Sequence, residues 1–212
     1  MQPESLRILV LGATGGVGRH LTEQALAAGH QVTVLVRDRS RLSSTHPNLR
    51  VVVGDATSTE ALAGVVRNQD AVLSALGAPG RNTSRVRERG AQALVEVMEA
   101  EGVRRLVMLS SHGIYESEAE LPWFMRWVVI PLFLKPAFTD HERQEATVKA
   151  RAALDWTLVR PPHLTDDGPG PVVHGVGPAA SMKISRASVA QFMIEQVQST
   201  EYIRAIPVVA SA

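Results

Sequence analysis

Residues 6–18 read LRILVLGATGGVG, and this stretch decides the fold of the chain. The continuous apolar run Leu6–Leu11 predicts a strand that is buried on both faces, as strands of a parallel sheet are. Val17–Ala28 then carries apolar residues at helical spacing, and Gly29 ends that helix. The glycines between them predict a phosphate-binding turn, because free N–H groups at a helix start attract anions. The alternative is a tight turn that binds no ligand.

Strands and helices alternate along most of the remaining chain. The apolar patterns predict further strands at Gln31–Val36, Leu49–Val53, Ala71–Leu76, Leu106–Ser110, Trp156–Arg160 and Ala205–Val209. They predict helices at Thr59–Arg67, Val86–Glu101, Asp140–Ala153 and Arg186–Gln198, and a loop over Pro161–Pro178. Such alternation is typical of βαβ units. We therefore expect one α/β domain over residues 1–212, with a Rossmann-like, doubly wound, mostly parallel sheet.

Each glycine of the turn has a predicted role in binding a dinucleotide. Gly12 permits the tight turn, Gly15 lets a pyrophosphate approach the backbone, and Gly18 lets helix and strand pack closely. The remaining predicted contacts of the turn come from Thr14, Gly16 and Val17.

The end of the second strand predicts which dinucleotide binds. An acidic residue at this place takes the ribose hydroxyls in NAD-binding proteins, but here the strand ends at Val36 and is followed by Arg37, Arg39 and Arg41. A guanidinium fork suits a 2′-phosphate, so the cofactor is predicted to be NADP(H), held by Arg37 and Arg41. A solvated basic loop is the alternative, and Asp38 either pairs with an arginine or stands in for the acid.

Other strand ends supply the remaining predicted cofactor contacts. Asp55, with Ala56, follows the third strand and suits an adenine contact, although a helix-capping turn would use the same residue. Leu76 and Gly77 end the fourth strand and would line the crevice from its other side. Ser110 ends the fifth strand.

Composition narrows the classes of protein and of site. The formal net charge of the 212 residues is +1, which gives no general attraction to nucleic acid. The absence of cysteine excludes thiol nucleophiles and thiolate metal sites, and no histidine pair has metal-binding spacing, so no metal is expected. Without a predicted signal peptide or membrane span, we expect a cytoplasmic monomer or weak homodimer with no membrane partner.

Four segments in order carry a family resemblance: Gly12–Gly18, VLVRD at 34–38, DHER at 140–143 and RPPH at 160–163. Their combination resembles the atypical short-chain dehydrogenase/reductases of the NAD(P)-binding, NmrA-like group, and within it the biliverdin-beta reductase, or flavin reductase, family. The resemblance implies an NADPH-dependent reductase that transfers hydride to a flavin or another planar conjugated acceptor.

The same resemblance implies catalytic-site residues. It places Ser111 near the nicotinamide, and His141 and His163 at the border of the acceptor pocket. Residues 111–140 and 161–180 would shape that pocket, although the first segment matches the flavin reductases poorly. The alternatives are a polar strand cap for Ser111, a surface helix start for His141 and a turn histidine for His163.

The usual proton relay of short-chain dehydrogenases is missing from the sequence. That relay needs Tyr-x-x-x-Lys on a helix, but Tyr115 is followed four residues later by Ala119, and Tyr202 by Ile206. Three functions stay open: hydride transfer driven by the cofactor, NADP(H) sensing without turnover, and isomerisation or dehydration on the same fold. An aromatic cluster is expected to pack in the core, with an acceptor platform or a dimer patch as alternatives; it comprises Trp123, Phe124, Trp127, Phe133 and Phe138.

Overall fold

A computed structural model describes residues 5–77 and 84–212. Its centre is a six-stranded parallel sheet in the order β3-β2-β1-β4-β5-β6. These strands are β1 (Arg7–Leu11), β2 (Gln31–Val36), β3 (Leu49–Val53), β4 (Ala71–Ser74), β5 (Arg105–Leu109) and β6 (Asp155–Val159). The helices are α1 (Gly16–Ala27), α2 (Thr59–Val66), α3 (Val86–Glu101), α4 (Lys135–Lys149) and α5 (Arg186–Glu195).

Helices cover both faces of the sheet, so its strands alternate between two apolar cores. Ile8 and Val10 of β1 face α1 and α5, where Phe192 is 1% exposed. Leu9 and Leu11 face the other core, which α2 and α3 complete. The predicted Rossmann-like, doubly wound single domain is confirmed. The strand order reverses between β1 and β4, and this reversal opens a crevice at the carboxyl ends of those strands.

The C-terminal third contains short strands that the sequence patterns did not reveal. The predicted loop Pro161–Pro178 contains β7 (His163–Thr165) and β8 (Val172–Gly175), and β9 (Lys183–Ser185) pairs with β7. The last strand is β10 (Val208–Ser211), which pairs antiparallel with β8. The strand predicted at Ala205–Val209 therefore lies further toward the C-terminus, at Val208–Ser211. Such short pairings depend on partners that lie far away in sequence.

The prediction of core packing for the aromatic cluster was wrong. Trp123 and Trp127 are each 72% exposed, and Phe124 and Phe133 are about half exposed. A π-helix over Met125–Leu134 leads directly into α4 and packs mainly against it. Its apolar side chains therefore have few neighbours in the domain. Within the described residues, no helix has the length and apolar character needed to cross a membrane.

Candidate functional site

The crevice at the sheet's switch point has a volume of about 640 Å³. It collects the ends of several strands and the starts of the helices that follow them. The predicted residues along its walls are Gly12, Thr14, Gly15, Gly16, Val17, Arg37, Arg41, Asp55, Ala56, Leu76, Gly77, Ser110, Ser111 and His141. Pro161, Pro162 and Leu164 line it from the C-terminal third.

The glycine turn leaves the start of α1 open to a ligand. Gly12 has a φ of +82°, and a Cβ there would overlap the carbonyl of Ala75. A Cβ at Gly18 would overlap the carbonyl oxygen of Gly12, so Gly18 permits close packing and does not line the crevice. No side chain caps α1 and its first turn carries no acid. Its first N–H groups can therefore bind an anion.

The basic turn after β2 presents two arginines to the crevice. Arg37 and Arg41 line it, whereas Arg39 does not. Asp38 accepts hydrogen bonds from the backbone N–H and the hydroxyl of Ser40, at 2.9 and 2.7 Å. These bonds, followed by the charge of Arg41, lower the pKa of Asp38. Asp38 thus caps the turn of residues 39–41.

Asp55 both lines the crevice and caps a turn. Its Oδ1 accepts hydrogen bonds from the backbone N–H of Thr57 at 2.9 Å and from the Thr57 hydroxyl at 3.0 Å. The Thr57 bonds lower its pKa, and the charges of Arg37 and Arg89 add to the shift. Asp55 does not cap α2, because the N-cap of that helix is Ser58, and its contact with adenine stays a prediction.

The serine pair after β5 lies at the far end of the crevice from Arg37. Ser110 donates its hydroxyl to Glu145 Oε1 at 2.6 Å, and Ser111 donates to the carbonyl of His112 at 3.0 Å. The Ser110 hydroxyl is thus used inside the protein. The Ser111 hydroxyl oxygen can still accept a hydrogen bond from a ligand.

The structure separates the two predicted histidines. Helix α4 begins at Lys135 and not at Asp140, so His141 lies in its second turn, 9% exposed, with Nδ1 buried and unpartnered among the described residues. Burial, followed by the charge of Arg87, lowers its pKa well below the ordinary value. His163 is exposed on β7, and its neighbours Pro162 and Leu164 line the crevice instead. Its predicted place at the pocket border is therefore not supported, because side chains alternate along a strand.

Two arginines of the crevice were missed by sequence reasoning. Arg87 lines it from the first turn of α3, and Arg186 from the start of α5. Arg186 passes over Gly16, where a Cβ would lie 2.7 Å from its Cδ, and pairs with Asp166 at 2.7 Å. No local pattern marks either arginine, since each reaches the crevice only through helix packing.

The segments expected to shape an acceptor pocket contribute unequally. Ser111 lines the crevice, but residues 112–140 do not. Arg160, the first residue of the RPPH motif, is 2% exposed and is enclosed by carboxylates. Glu145 accepts two of its hydrogen bonds, at 2.8 and 2.7 Å, and Glu116 accepts a third. Arg160 is therefore linked to Ser110 through Glu145 and does not line the crevice.

Comparison with known proteins gives this geometry a context. A family described as NAD(P)H-binding matches residues 12–200. The 3-diazoavenalumate denitrifying reductase of a Streptomyces species is 38% identical over 117 residues, which are 50% of this chain and 38% of that protein. The (4-alkanoyl-5-oxo-2,5-dihydrofuran-3-yl)methyl phosphate reductase of Streptomyces griseus is 32% identical over 154 residues, 73% of this chain and 46% of that protein. The chain thus spans less than half the length of either relative.

A solved structure supports the fold. ChuY, an anaerobillin reductase from Escherichia coli O157:H7, superposes with a TM-score of 0.79 and 19% sequence identity, and the match covers 97% of each chain. At this identity the likeness concerns the architecture of the two proteins.

Proposed function

We propose that this protein is an NADPH-dependent reductase, and the premise is its family: the chain belongs to the NAD(P)H-binding family. The family match confirms the NAD(P)-binding part of the resemblance that the four motifs indicated, and the NmrA-like reductase part supports the proposal as a resemblance. The proposed acceptor is a flavin or another planar conjugated molecule. Relatives whose names are those of reductases support the reaction class, while the acceptor is inferred from the motif resemblance.

One observation carries the proposal: a single crevice joins a glycine turn with an uncapped helix start to Arg37 and Arg41. Its volume of about 640 Å³ lies within the range of cofactor sites, roughly 300–1,000 Å³. The positive φ of Gly12 and its lack of a Cβ permit the tight turn against the carbonyl of Ala75, and Gly15, which lines the crevice, is where a pyrophosphate would approach the backbone. The two arginines suit a 2′-phosphate.

The chain's own contribution is to bind and orient the reactants. When bound, NADPH supplies a hydride from its nicotinamide ring. The glycine turn would hold the pyrophosphate, and Ser111 and His141 would border the reacting end. His141 is neutral near pH 7 because its pKa is lowered, so it offers hydrogen bonding and not a positive charge.

Neither tyrosine is placed to donate the proton that a reduced acceptor needs. Tyr115 donates its hydroxyl to the carbonyl of Glu142 at 2.7 Å, and Tyr202 bonds to His174 at 2.9 Å. Neither tyrosine lines the crevice. A reduced flavin or similar acceptor can take its proton from solvent, so positioning is sufficient. The same absence of a relay is compatible with a second function, NADP(H) sensing without turnover.

Cofactor choice provides the first test. We expect NADPH to bind at least about 10-fold more tightly than NADH, because each hydrogen bond to a charged group contributes roughly 1.5–3 kcal/mol. Titration calorimetry on Arg41→Met should show that this preference is lost, whereas Arg39→Met is the matched control, since Arg39 does not line the crevice. Equal dissociation constants for the two nucleotides in the wild type would refute the arginine assignment.

Turnover provides the second test. Stopped-flow oxidation of NADPH with FMN, FAD, riboflavin, quinones and biliverdin should saturate with at least one acceptor. Tight NADPH binding with no oxidation by any of them would favour the sensing function.

A further inference from the structure

We propose that Arg87, together with His141, anchors an anionic group of the acceptor, so that the acceptor carries a phosphate or a carboxylate. This inference rests on the proposed reductase function and adds a specificity-determining residue to its site. It concerns the far end of the crevice from Arg37, between the ends of β4 and β5.

Arg87 is buried without a full set of partners. Its side chain is 15% exposed and borders the crevice beside Gly77, where a Cβ would lie 3.3 Å from Nη2. The ion pair with Asp140 is long, at 3.4 Å from Nη1 to Oδ2. Nε is buried and has no hydrogen-bond partner among the described residues. Nη1 donates to Asp140, whereas Nη2 has no hydrogen-bond partner among the described residues and can donate to a ligand.

Asp140 forms only a long ion pair with this guanidinium, and its two oxygens also accept hydrogen bonds from the start of α3. Its Oδ2 accepts the backbone N–H of Arg87 at 3.1 Å, and its Oδ1 accepts the backbone N–H of Glu88 at 2.9 Å. These two bonds satisfy N–H groups at the start of the helix, as a capping carboxylate does. The Nη2 group of the guanidinium therefore stays available to a ligand in the crevice.

His141 adds a second unsatisfied polar group to the crevice wall that Arg87 lines. Its ring is buried, lines the crevice and leaves Nδ1 without a partner in the part of the chain that the structure describes. Buried polar groups are normally hydrogen-bonded, and an unpaired one is costly. A ligand that binds both Arg87 and His141 removes that cost. An oxyanion fits best, because a guanidinium binds phosphate or carboxylate through two parallel bonds.

The position of Arg87 assigns this anion to the acceptor and not to the cofactor. The phosphates of NADPH have their own proposed partners, since Arg37 and Arg41 suit the 2′-phosphate and the glycine turn suits the pyrophosphate. Arg186 lies against Gly16 of that turn. Arg87 instead lies close enough to His141 for its charge to lower the pKa of that histidine, and the motif resemblance places His141 at the border of the acceptor pocket.

FMN and riboflavin test the inference, because they share one ring system and differ by a phosphate. The experiment measures the dissociation constant of each flavin with the NADP+-saturated protein by flavin fluorescence. Arg87→Met should weaken FMN binding about 10-fold or more, as expected for a lost charge-assisted hydrogen bond, and change riboflavin binding less than about 2-fold. Arg87→Lys should restore part of the FMN affinity.

Two controls separate the possible sources of an effect. Arg50→Met removes the same charge from exposed β3, away from the crevice, and should leave the binding of both flavins unchanged. The affinity for NADPH, measured without flavin, should also stay within about 2-fold of wild type in Arg87→Met. A large loss of NADPH affinity would assign Arg87 to the cofactor and overturn the inference.

Other outcomes also decide the question. Equal weakening of FMN and riboflavin, or wild-type protein that binds riboflavin as tightly as FMN, would overturn the anion site. The reductase function would survive either result, because it is judged separately by NADPH oxidation with uncharged quinones and riboflavin. Conversely, selective FMN binding through Arg87 without oxidation of NADPH would keep the anion site and refute the reductase.

Discussion

Arg87 and Arg160 are both largely buried arginines, and they differ in how completely carboxylates satisfy them. Glu145 binds Arg160 through two hydrogen bonds, and Glu116 accepts a third. Burial lowers the pKa of Arg160, but the bonds and charges of these carboxylates outweigh it and raise the pKa overall. Burial lowers the pKa of Arg87, because Asp140 compensates only in part.

The difference distinguishes a structural cation from one available to a ligand. A buried charge with well-placed partners stabilises the fold only as part of its cluster, and removing one partner is expensive. A buried cation that lines a crevice and has only a long ion pair, with a carboxylate that it shares, can still bind an anionic ligand. Perturbed groups in clefts are candidates for function on this physical ground.

The largest expected effect is on the Arg160 cluster. Glu145→Ala should lower the free energy of unfolding by about 3–5 kcal/mol, since it leaves Arg160 buried with only its Glu116 partner. Urea unfolding followed by circular dichroism measures the change, and Glu145→Gln provides a milder variant if the alanine protein does not fold. The control is Glu101→Ala, which removes a surface ion pair with Arg67 and should cost about 1 kcal/mol or less. A cost below 1 kcal/mol for Glu145→Ala would contradict the structural role.

An intermediate effect is expected from the pH dependence of His141. The folded-state pKa is lowered by burial and by Arg87, whereas the unfolded chain has a histidine pKa of about 6.5. Below that pH the unfolded chain binds a proton that the folded protein does not, so stability falls as the pH falls. The slope from this group is at most about 1.4 kcal/mol per pH unit.

A comparison of variants isolates that contribution. His30 and His112 also have lowered pKa values through burial, so wild type keeps a pH dependence of the same sign. His141→Gln should therefore lose less stability than wild type between pH 7 and pH 5. Parallel stability curves for the two proteins would show that His141 is not the titrating group.

The smallest expected effect is on the stability of the Arg87 variant. Arg87→Met should change the free energy of unfolding by less than about 1 kcal/mol in the absence of ligand, because the lost ion pair is long, the desolvation cost of Arg87 disappears, and Asp140 keeps its two hydrogen bonds from backbone N–H groups. Urea unfolding beside Glu145→Ala gives the contrast directly. A loss as large as that of Glu145→Ala would make the two arginines alike and end the distinction.

The N-terminal half was the more predictable part of the molecule. Strands β2 and β3 have their predicted bounds, because short valine-rich runs between turn residues specify strands locally. The predicted crevice residues from Gly12 to Ser111 lie together, except for Gly18, because parallel strands end at the same edge of the sheet. The segment after Ser111 was less predictable. Its apolar pattern does not distinguish burial in a core from exposure on a π-helix, so Trp123 and Trp127 were misplaced.

The sequence by itself determined the glycine turn and the arginines after β2, since residues next to a strand end are placed by the chain itself. The tertiary structure decided which other side chains reach the crevice. Arg87 meets Asp140 and His141 because α3 packs against α4, and their distance depends on how two helices pack. The burial that leaves Arg87 short of partners is likewise a property of the packed domain, and it cannot be predicted from a local pattern in the sequence.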